Sequence, residues 1–139
     1  MQQAHTELSI QTRSKGLIDI TSDVVDWVGC QGIQSGLLTV FIKHTSASLT
    51  IQENADPDVL LDLETFFSRL VKDQPNLYRH TAEGPDDMPA HIRSALTDVS
   101  LTIPVFERQP VLGTWQGIYV FEHRSRPHNR TVHLTILGH

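Results

Sequence analysis

Val111-Leu-Gly-Thr-Trp-Gln-Gly-Ile-Tyr-Val-Phe-Glu-His-Arg124, followed after a polar break by Thr131-Val-His-Leu-Thr-Ile-Leu137, decides the fold class. Both runs are rich in β-branched and aromatic residues, which suit a pleated, half-buried surface. The Arg/Pro/Asn stretch between them has the composition of a turn. The pattern predicts a long strand over 111–124 and a final strand over 131–137, paired as an antiparallel hairpin. By period two, Trp115, Gly117, Tyr119, Phe121 and His123 share one face, and Gln116, Ile118, Val120 and Glu122 the other.

Further strands appear on working backward. Ser100–Phe106 is a strand with Pro104 at an edge or bend, turned by Glu107–Pro110 into a second hairpin. Gly36–Lys43 is the strongest strand of the first half, Thr6–Gln11 alternates with Leu8 and Ile10 facing inward, and Ile18–Ile20 and Leu49–Ile51 are short strands. Three helices interrupt them. Thr21 or Ser22 caps one that runs to Val28. Asp56 caps and Pro57 opens the longest, with Val59, Leu60, Leu63, Phe66, Phe67, Leu70 and Val71 as its core stripe. Pro89 opens a third, to Leu96, with Asp86 or Asp87 as cap. The order implies one α+β domain over 1–139, a β-sandwich-like arrangement of antiparallel or mixed sheets with helical insertions.

At 139 residues such a domain buries roughly 70% of its unfolded surface without staples. The single cysteine, Cys30, reads as a small packing residue and suits a reducing cytoplasm. The longest mainly apolar run, Leu37–Ile42, falls far short of the ~20 residues of a membrane span. No basic-then-apolar leader opens the chain, so no signal peptide is expected. With net charge −5 and one short basic stretch, Arg124–Arg130, the chain lacks the broad basic face of a nucleic-acid binder. That stretch reads as a polar turn with solvated arginines, or as a phosphate contact.

Chemistry concentrates in Tyr78-Arg-His-Thr-Ala-Glu-Gly-Pro-Asp-Asp-Met-Pro-Ala-His91, where His80 and His91 stand among Glu83, Asp86 and Asp87. Imidazoles beside carboxylates are the ligand mix of zinc and of acid–base catalysis. Gly84, Pro85 and Pro89 forbid one helix through both histidines, so they converge only if the loop curls and His91 faces back. A second candidate is His44-Thr45-Ser46-Ala47-Ser48, where a histidine, hydroxyls and backbone amides at a strand end can line an oxyanion or phosphate pocket. Gln52-Glu53-Asn54 offers a base in Glu53, with Asn54 as a ligand contact or a turn former. Gly113 and Gly117 flank Thr114-Trp115-Gln116, which suggests close backbone approach, with Trp115 packing in the core or stacking a heterocycle beside Gln116. His123 and His133 read as surface or subunit-contact residues, and His5, His128 and His139 as incidental.

His44-Thr-Ser-Ala-Ser-Leu-Thr-Ile, Glu53-Asn-Ala-Asp-Pro-Asp58, Tyr78-Arg-His80, Glu83-Gly84, Ala90-His91-Ile92 and Leu112-Gly-Thr-Trp-Gln-Gly-Ile118 together resemble the YjbQ-like family, also called secondary thiamine-phosphate synthase enzymes. The resemblance spans nearly the whole chain. It implies a compact β-sandwich-like α+β fold, a homotrimer, and a histidine-lined site at which His44, His80 and His91 would hold a metal. It also implies a thiamine-phosphate synthase activity that joins hydroxymethylpyrimidine diphosphate to a thiazole phosphate with loss of pyrophosphate. In that reaction Trp115 stacks a ring, His44 or Arg79 meets phosphate, and a divalent metal bridges it.

Three functions therefore stand open. One is that synthase, with His44, Glu53 and Glu83 as catalytic groups, Thr45, Ser46, Asn54, Arg79, Trp115 and Gln116 as substrate contacts, and zinc, or magnesium with a diphosphate, as cofactor. The second is a metal-dependent hydrolase of a small phosphorylated or acylated metabolite, with Glu83 or Glu53 as base. The third is a trimeric binding module without turnover. All three expect a cytoplasmic protein with neither nucleic acid nor membrane as partner.

Overall fold

Alternation along the strands sorts the chain into two layers. The computed structural model describes every residue, Met1–His139. In chain order come β1 (Gln2–Gln11), β2 (Gly16–Asp19), α1 (Thr21–Gly29), β3 (Ser35–Ile42), β4 (Ala47–Glu53), α2 (Pro57–Leu70) and a 3₁₀ turn (Pro75–Leu77). Then follow α3 (Asp87–Leu96), β5 (Ser100–Phe106), β6 (Gln109–Pro110), β7 (Gln116–Glu122) and β8 (Asn129–Gly138). One sheet is five-stranded, β1-β8-β3-β5-β6, and the other three-stranded, β2-β7-β4. Every pairing is antiparallel. The α+β, sandwich-like class expected from the element order is the observed one.

The core forms where the sheets face each other. Leu38, Val40 and Ile42 of β3, with Val132, Leu134 and Ile136 of β8, meet Leu49 of β4 and Ile118 and Val120 of β7, while Val24 and Val28 of α1 join the same cluster. Each such side chain contributes ~1.5–3 kcal/mol by leaving water. At the end of the β3–β8 pair Gly36 stands opposite Gly138. A Cβ on either would collide with the facing backbone, so only glycine fits there. Gly117 is more mildly crowded, by the side chains of Tyr119, Asn54 and Thr21 at 3.0–3.3 Å, so the close approach there comes from the chain itself.

The expected final hairpin does not exist. β7 pairs with β2 and β4, whereas β8 pairs with β1 and β3, so the two runs lie in opposite sheets. Six of the seven residues of β7 are buried, which requires neighbours on both edges and cover on both faces. A terminal hairpin would have left one edge of β7 open. The first of these runs is also shorter than its sequence pattern: 111–115 is not strand, and Gln109–Pro110 instead forms a two-residue hairpin with the end of β5.

Helix starts differ in detail. Asp56 caps α2 through a bond from the Asp58 N–H, with Pro57 in the first turn, as expected. α1 has Ile20 at its cap position with no side-chain bond; Thr21 is instead held by Asp19 and donated to by the Ile118 N–H. α2 leans on the outer face of the smaller sheet, with Phe67 edge-on to Phe121 at 5.4 Å. Phe66 and Leu70, assigned to its core stripe, are exposed, because a three-stranded sheet meets only one narrow face of the helix. Cys30 is exposed too rather than packed. The outer face of the larger sheet is uncovered and carries the exposed apolar residues Leu37, Phe41, Phe106 and Leu137.

Candidate metal centre

The polar segment ahead of α3 curls as its glycine and prolines demand. Gly84 takes φ +107°, a conformation open chiefly to glycine. The Gly84 N–H bonds back to Thr81 O, and α3 starts three residues later. Asp87 and His91 then lie one helical turn apart, on the side facing His80. Nε2 of His80 is 2.5 Å from Oδ2 of Asp87, and Nε2 of His91 is 3.1 Å from the same oxygen. Oε2 of Glu83 lies 3.6 Å from Nε2 of His80. The two rings meet edge to face at 5.4 Å. One donor atom from each of His80, Glu83, Asp87 and His91 falls within a 4.8 Å cluster.

Asp87 is the anchor. It is 2% exposed, and its other oxygen receives Nη1 of Arg124 at 2.6 Å. Burial opposes its ionisation, but the His80 hydrogen bond and the Arg124 charge outweigh that and hold its carboxyl below the usual range. Asp86, expected as a helix cap, makes no capping bond. Its carboxylate takes Nε of Arg124 at 3.1 Å, with the Ser125 N–H and hydroxyl at 2.9 and 3.0 Å. Burial opposes charge there as well, yet Ser125 and Arg124 hold its pKa well below normal. The hydrogen bond to Asp87 raises His80 above an ordinary imidazole.

His91 has a defined tautomer. Its Nδ1 is 2.9 Å from Thr45 O, and a carbonyl only accepts, so Nδ1 carries the proton. In the neutral ring Nε2 then presents a lone pair to an anionic oxygen. A second proton or a cation must lie between them, and a backbone-held imidazole with a free Nε2 is the usual form of a metal ligand.

His44 is not part of this cluster. Its Nε2 accepts the Thr131 N–H at 2.8 Å, and its Nδ1 lies 3.5 Å from Nη1 of Arg130. The lone pair of Nε2 is spent on β8, so Nδ1 carries the proton and faces another donor in Arg130, and in this geometry His44 presents no lone pair to a metal or a substrate proton. Burial and Arg130 lower its pKa. Ser46 contributes its carbonyl to Arg130. Glu53, Asn54, Trp115 and Gln116 do come together, through Asn54 N–H to Trp115 O and the Glu53–Gln116 register. They stand at the opposite end of the seven-residue β4 from Ala47, ~20 Å away at ~3.3 Å per residue. Glu53 there accepts the Asp56 N–H at the start of α2, and Trp115 is 62% exposed rather than in the core. Arg79 is exposed beside His80 and makes no ion pair.

Two buried polar networks escaped sequence reasoning. Arg124 and Arg130 are not solvated turn residues: Arg130 Nη2 pairs with Glu122 at 2.6 Å, both within the sandwich. His123 is fully buried rather than a surface group; its Nε2 is 2.8 Å from the Ser48 hydroxyl, and burial and Arg93 lower its pKa to about 3. His5, which its sequence context leaves without a role, stacks on His133 at 5.5 Å across β1 and β8. The available signal was a charge inside a β-rich run (Glu122), which calls for a partner nearby.

A family model described as UPF0047 protein YjbQ-like matches residues 6–139. The UPF0047 protein sll1880 of Synechocystis sp. is 53% identical over 131 residues, 94% of this chain and 89% of that protein. The UPF0047 protein YjbQ of Escherichia coli O157:H7 is 41% identical over 132 residues, 94% of this chain and 95% of its own. A solved structure from Clostridium acetobutylicum, an uncharacterized conserved protein of the YjbQ/UPF0047 family, aligns with TM-score 0.87 at 37% identity, covering 95% of this chain and 99% of that one.

Proposed function

The chain belongs to the UPF0047 YjbQ-like family, and we propose that it is a small metal-dependent hydrolase of a phosphate ester, with His80, Asp87 and His91 holding a divalent metal and Glu83 beside them as the base. The observation that carries this reading is the His91 ring, whose Nδ1 is fixed on Thr45 O while its Nε2 faces Asp87. Two imidazoles and carboxylates favour zinc over magnesium, which prefers an all-oxygen shell. When bound, the cation supplies a Lewis acid for a phosphoryl oxygen and acidifies a water molecule.

The chain's own groups supply the rest. Arg124 keeps Asp87 ionised and oriented. Glu83, the most exposed carboxylate of the cluster, takes a proton from the attacking water. A water-oxygen-to-phosphorus bond forms, the ester P–O bond breaks, and that proton leaves with the alcohol. Exposed guanidiniums beside the cluster favour a phosphoryl over a neutral acyl substrate. Arg79 precedes His80, and Arg126 comes within 3.7 Å of where a Gly84 Cβ would stand. Untagged protein should carry near-stoichiometric metal and release phosphate from an ester panel, with chelation abolishing both. Absence of metal in protein offered zinc would overturn the reading.

Thiamine-phosphate synthase activity is the second reading, supported by the same two arginines, which suit a diphosphate leaving group. Against it stand Trp115 and Gln116, too far along β7 to hold a ring at this metal within one chain. Incubation with hydroxymethylpyrimidine diphosphate and thiazole phosphate tests it directly. We also propose the homotrimer, supported by the uncovered Leu37, Phe41, Phe106 and Leu137 face; light scattering of Phe41→Glu beside wild type tests it. If trimer formation alone depended on the histidines and no substrate turned over, the chain would be a binding module. No helix is long and apolar enough to cross a membrane. The cytoplasm is the proposed compartment, supported by the free Cys30.

A further inference from the structure

We infer that the recess between the β3–β4 turn and α3 binds the carbon portion of the substrate, and that this portion is a single ring or a short branched chain. The inference rests on the metal-centre reading and deepens it. The recess is lined by His44, Thr45, His91, Ser94, Ala95 and Val99 and has a volume of about 240 Å³. His91 belongs to both places: its Nε2 faces the cluster, and its ring forms a wall of the recess. A phosphoryl group at the cluster therefore places its ester substituent within reach of this opening.

The chemistry of the walls defines what enters. His44 spends the lone pair of Nε2 on the Thr131 N–H, and its Nδ1 faces Arg130. His91 spends Nδ1 on Thr45 O and Nε2 on Asp87. The Ser94 hydroxyl donates to Ala47 O at 3.1 Å. Carbon surfaces remain, with Ala95 and Val99 completing them. The exposed Thr45 on the rim adds a hydroxyl that can orient a ligand. A space of such polarity takes an apolar group, and a cavity of ~150 Å³ already holds benzene. One substituted ring fits in about 240 Å³. Two larger recesses, about 480 and 310 Å³, lie at Cys30–Arg108 and around Lys15, where no ligand cluster forms.

The test uses zinc-loaded full-length protein with phenylphosphonate and methylphosphonate, two probes that the proposed chemistry cannot cleave, measured by calorimetry. Phenylphosphonate should bind at least tenfold more tightly. Ala95→Phe, on the exposed last turn of α3, and Val99→Phe, at a partly exposed position, should each fill the recess and remove that preference. Zinc content and methylphosphonate affinity should stay unchanged. Equal binding of the two probes, or a preference that survives both variants, would overturn the inference. If the protein takes up no zinc, the metal reading fails by itself, and the recess is judged by amide shifts of Thr45, Ala95 and Val99 on adding phenylphosphonate. Shifts that vanish in Ala95→Phe would uphold the recess, and their absence would remove it too.

Discussion

His91 and Asp87 lie one turn apart on α3, with Nε2 of the imidazole 3.1 Å from Oδ2 of the carboxylate while Nδ1 of the same ring is held by Thr45 O. The β3–β4 turn thereby selects the tautomer of a residue on a distant helix. Arg124, just beyond β7, fixes the other end of the pair by taking Oδ1 of Asp87. Three separated parts of the chain thus set one pair of donor atoms.

Asp87→Asn should lower zinc affinity by at least ~10-fold, because even the outer carboxylate partners of metal-bound histidines are worth about 10–100-fold and Asp87 is itself one of the donors. Glu83→Gln should cost less, since Glu83 stands 3.6 Å from His80 and is mostly exposed. Competition against a chromophoric chelator measures both. Equal losses would give Glu83 the anchoring role.

Zinc at 100 times its dissociation constant should stabilise the fold by about 2.7 kcal/mol. His80→Ala should abolish the shift in thermal midpoint. In metal-free protein the Asp87 hydrogen bond raises the His80 pKa. Uptake therefore displaces a proton, and affinity should weaken as pH falls. Titration at two pH values reads this coupling.

Acid should destabilise the fold through His123. Its pKa falls from 6.5 in the unfolded chain to about 3 when buried. Between those values the unfolded chain holds a proton that the folded one lacks, so stability declines as pH drops through that window. The slope is up to about 1.4 kcal/mol per pH unit. His123→Gln should remove one proton's worth of slope from urea midpoints between pH 6.5 and 4 while keeping a partner for Ser48. An unchanged slope would show that His123 does not titrate on unfolding.

Glu122→Gln should cost about 3–5 kcal/mol by leaving the buried Arg130 charge without its partner. Glu122→Leu combined with Arg130→Met should lose less than the sum of Glu122→Leu and Arg130→Met made singly. Urea unfolding of the single and double variants checks the coupling. A double variant as unstable as the sum of the singles would mean that the pair is not coupled.

Local signals were legible where a residue's role depends on its sequence neighbours. Leu8 and Ile10 alternate because period two sends them to one face, and Ile10 is buried. Asp56 and Pro57 open α2 through bonds within one turn. His80 and His91 stand out because two imidazoles share one short segment with Glu83, Asp86 and Asp87. Adjacency in sequence suggests a final hairpin, yet β7 and β8 obtain their partners from the first half of the chain.

Element type, the single domain, the family resemblance and the histidine-rich segment are properties that the amino-acid sequence determines by itself, since propensity, periodicity and capping act over a few residues. Which strand joins which sheet, that Arg130 is buried on Glu122, that His44 turns away from the cluster and that Asp87 stands at its centre were decided only in the tertiary structure. Those outcomes depend on burial and on partners far apart in sequence, such as Thr131 for His44, Arg124 for Asp87 and Gly138 for Gln2. A side chain's hydrogen-bonding partner is set by the packing of whole layers, and that packing exists only once the two sheets have closed on each other.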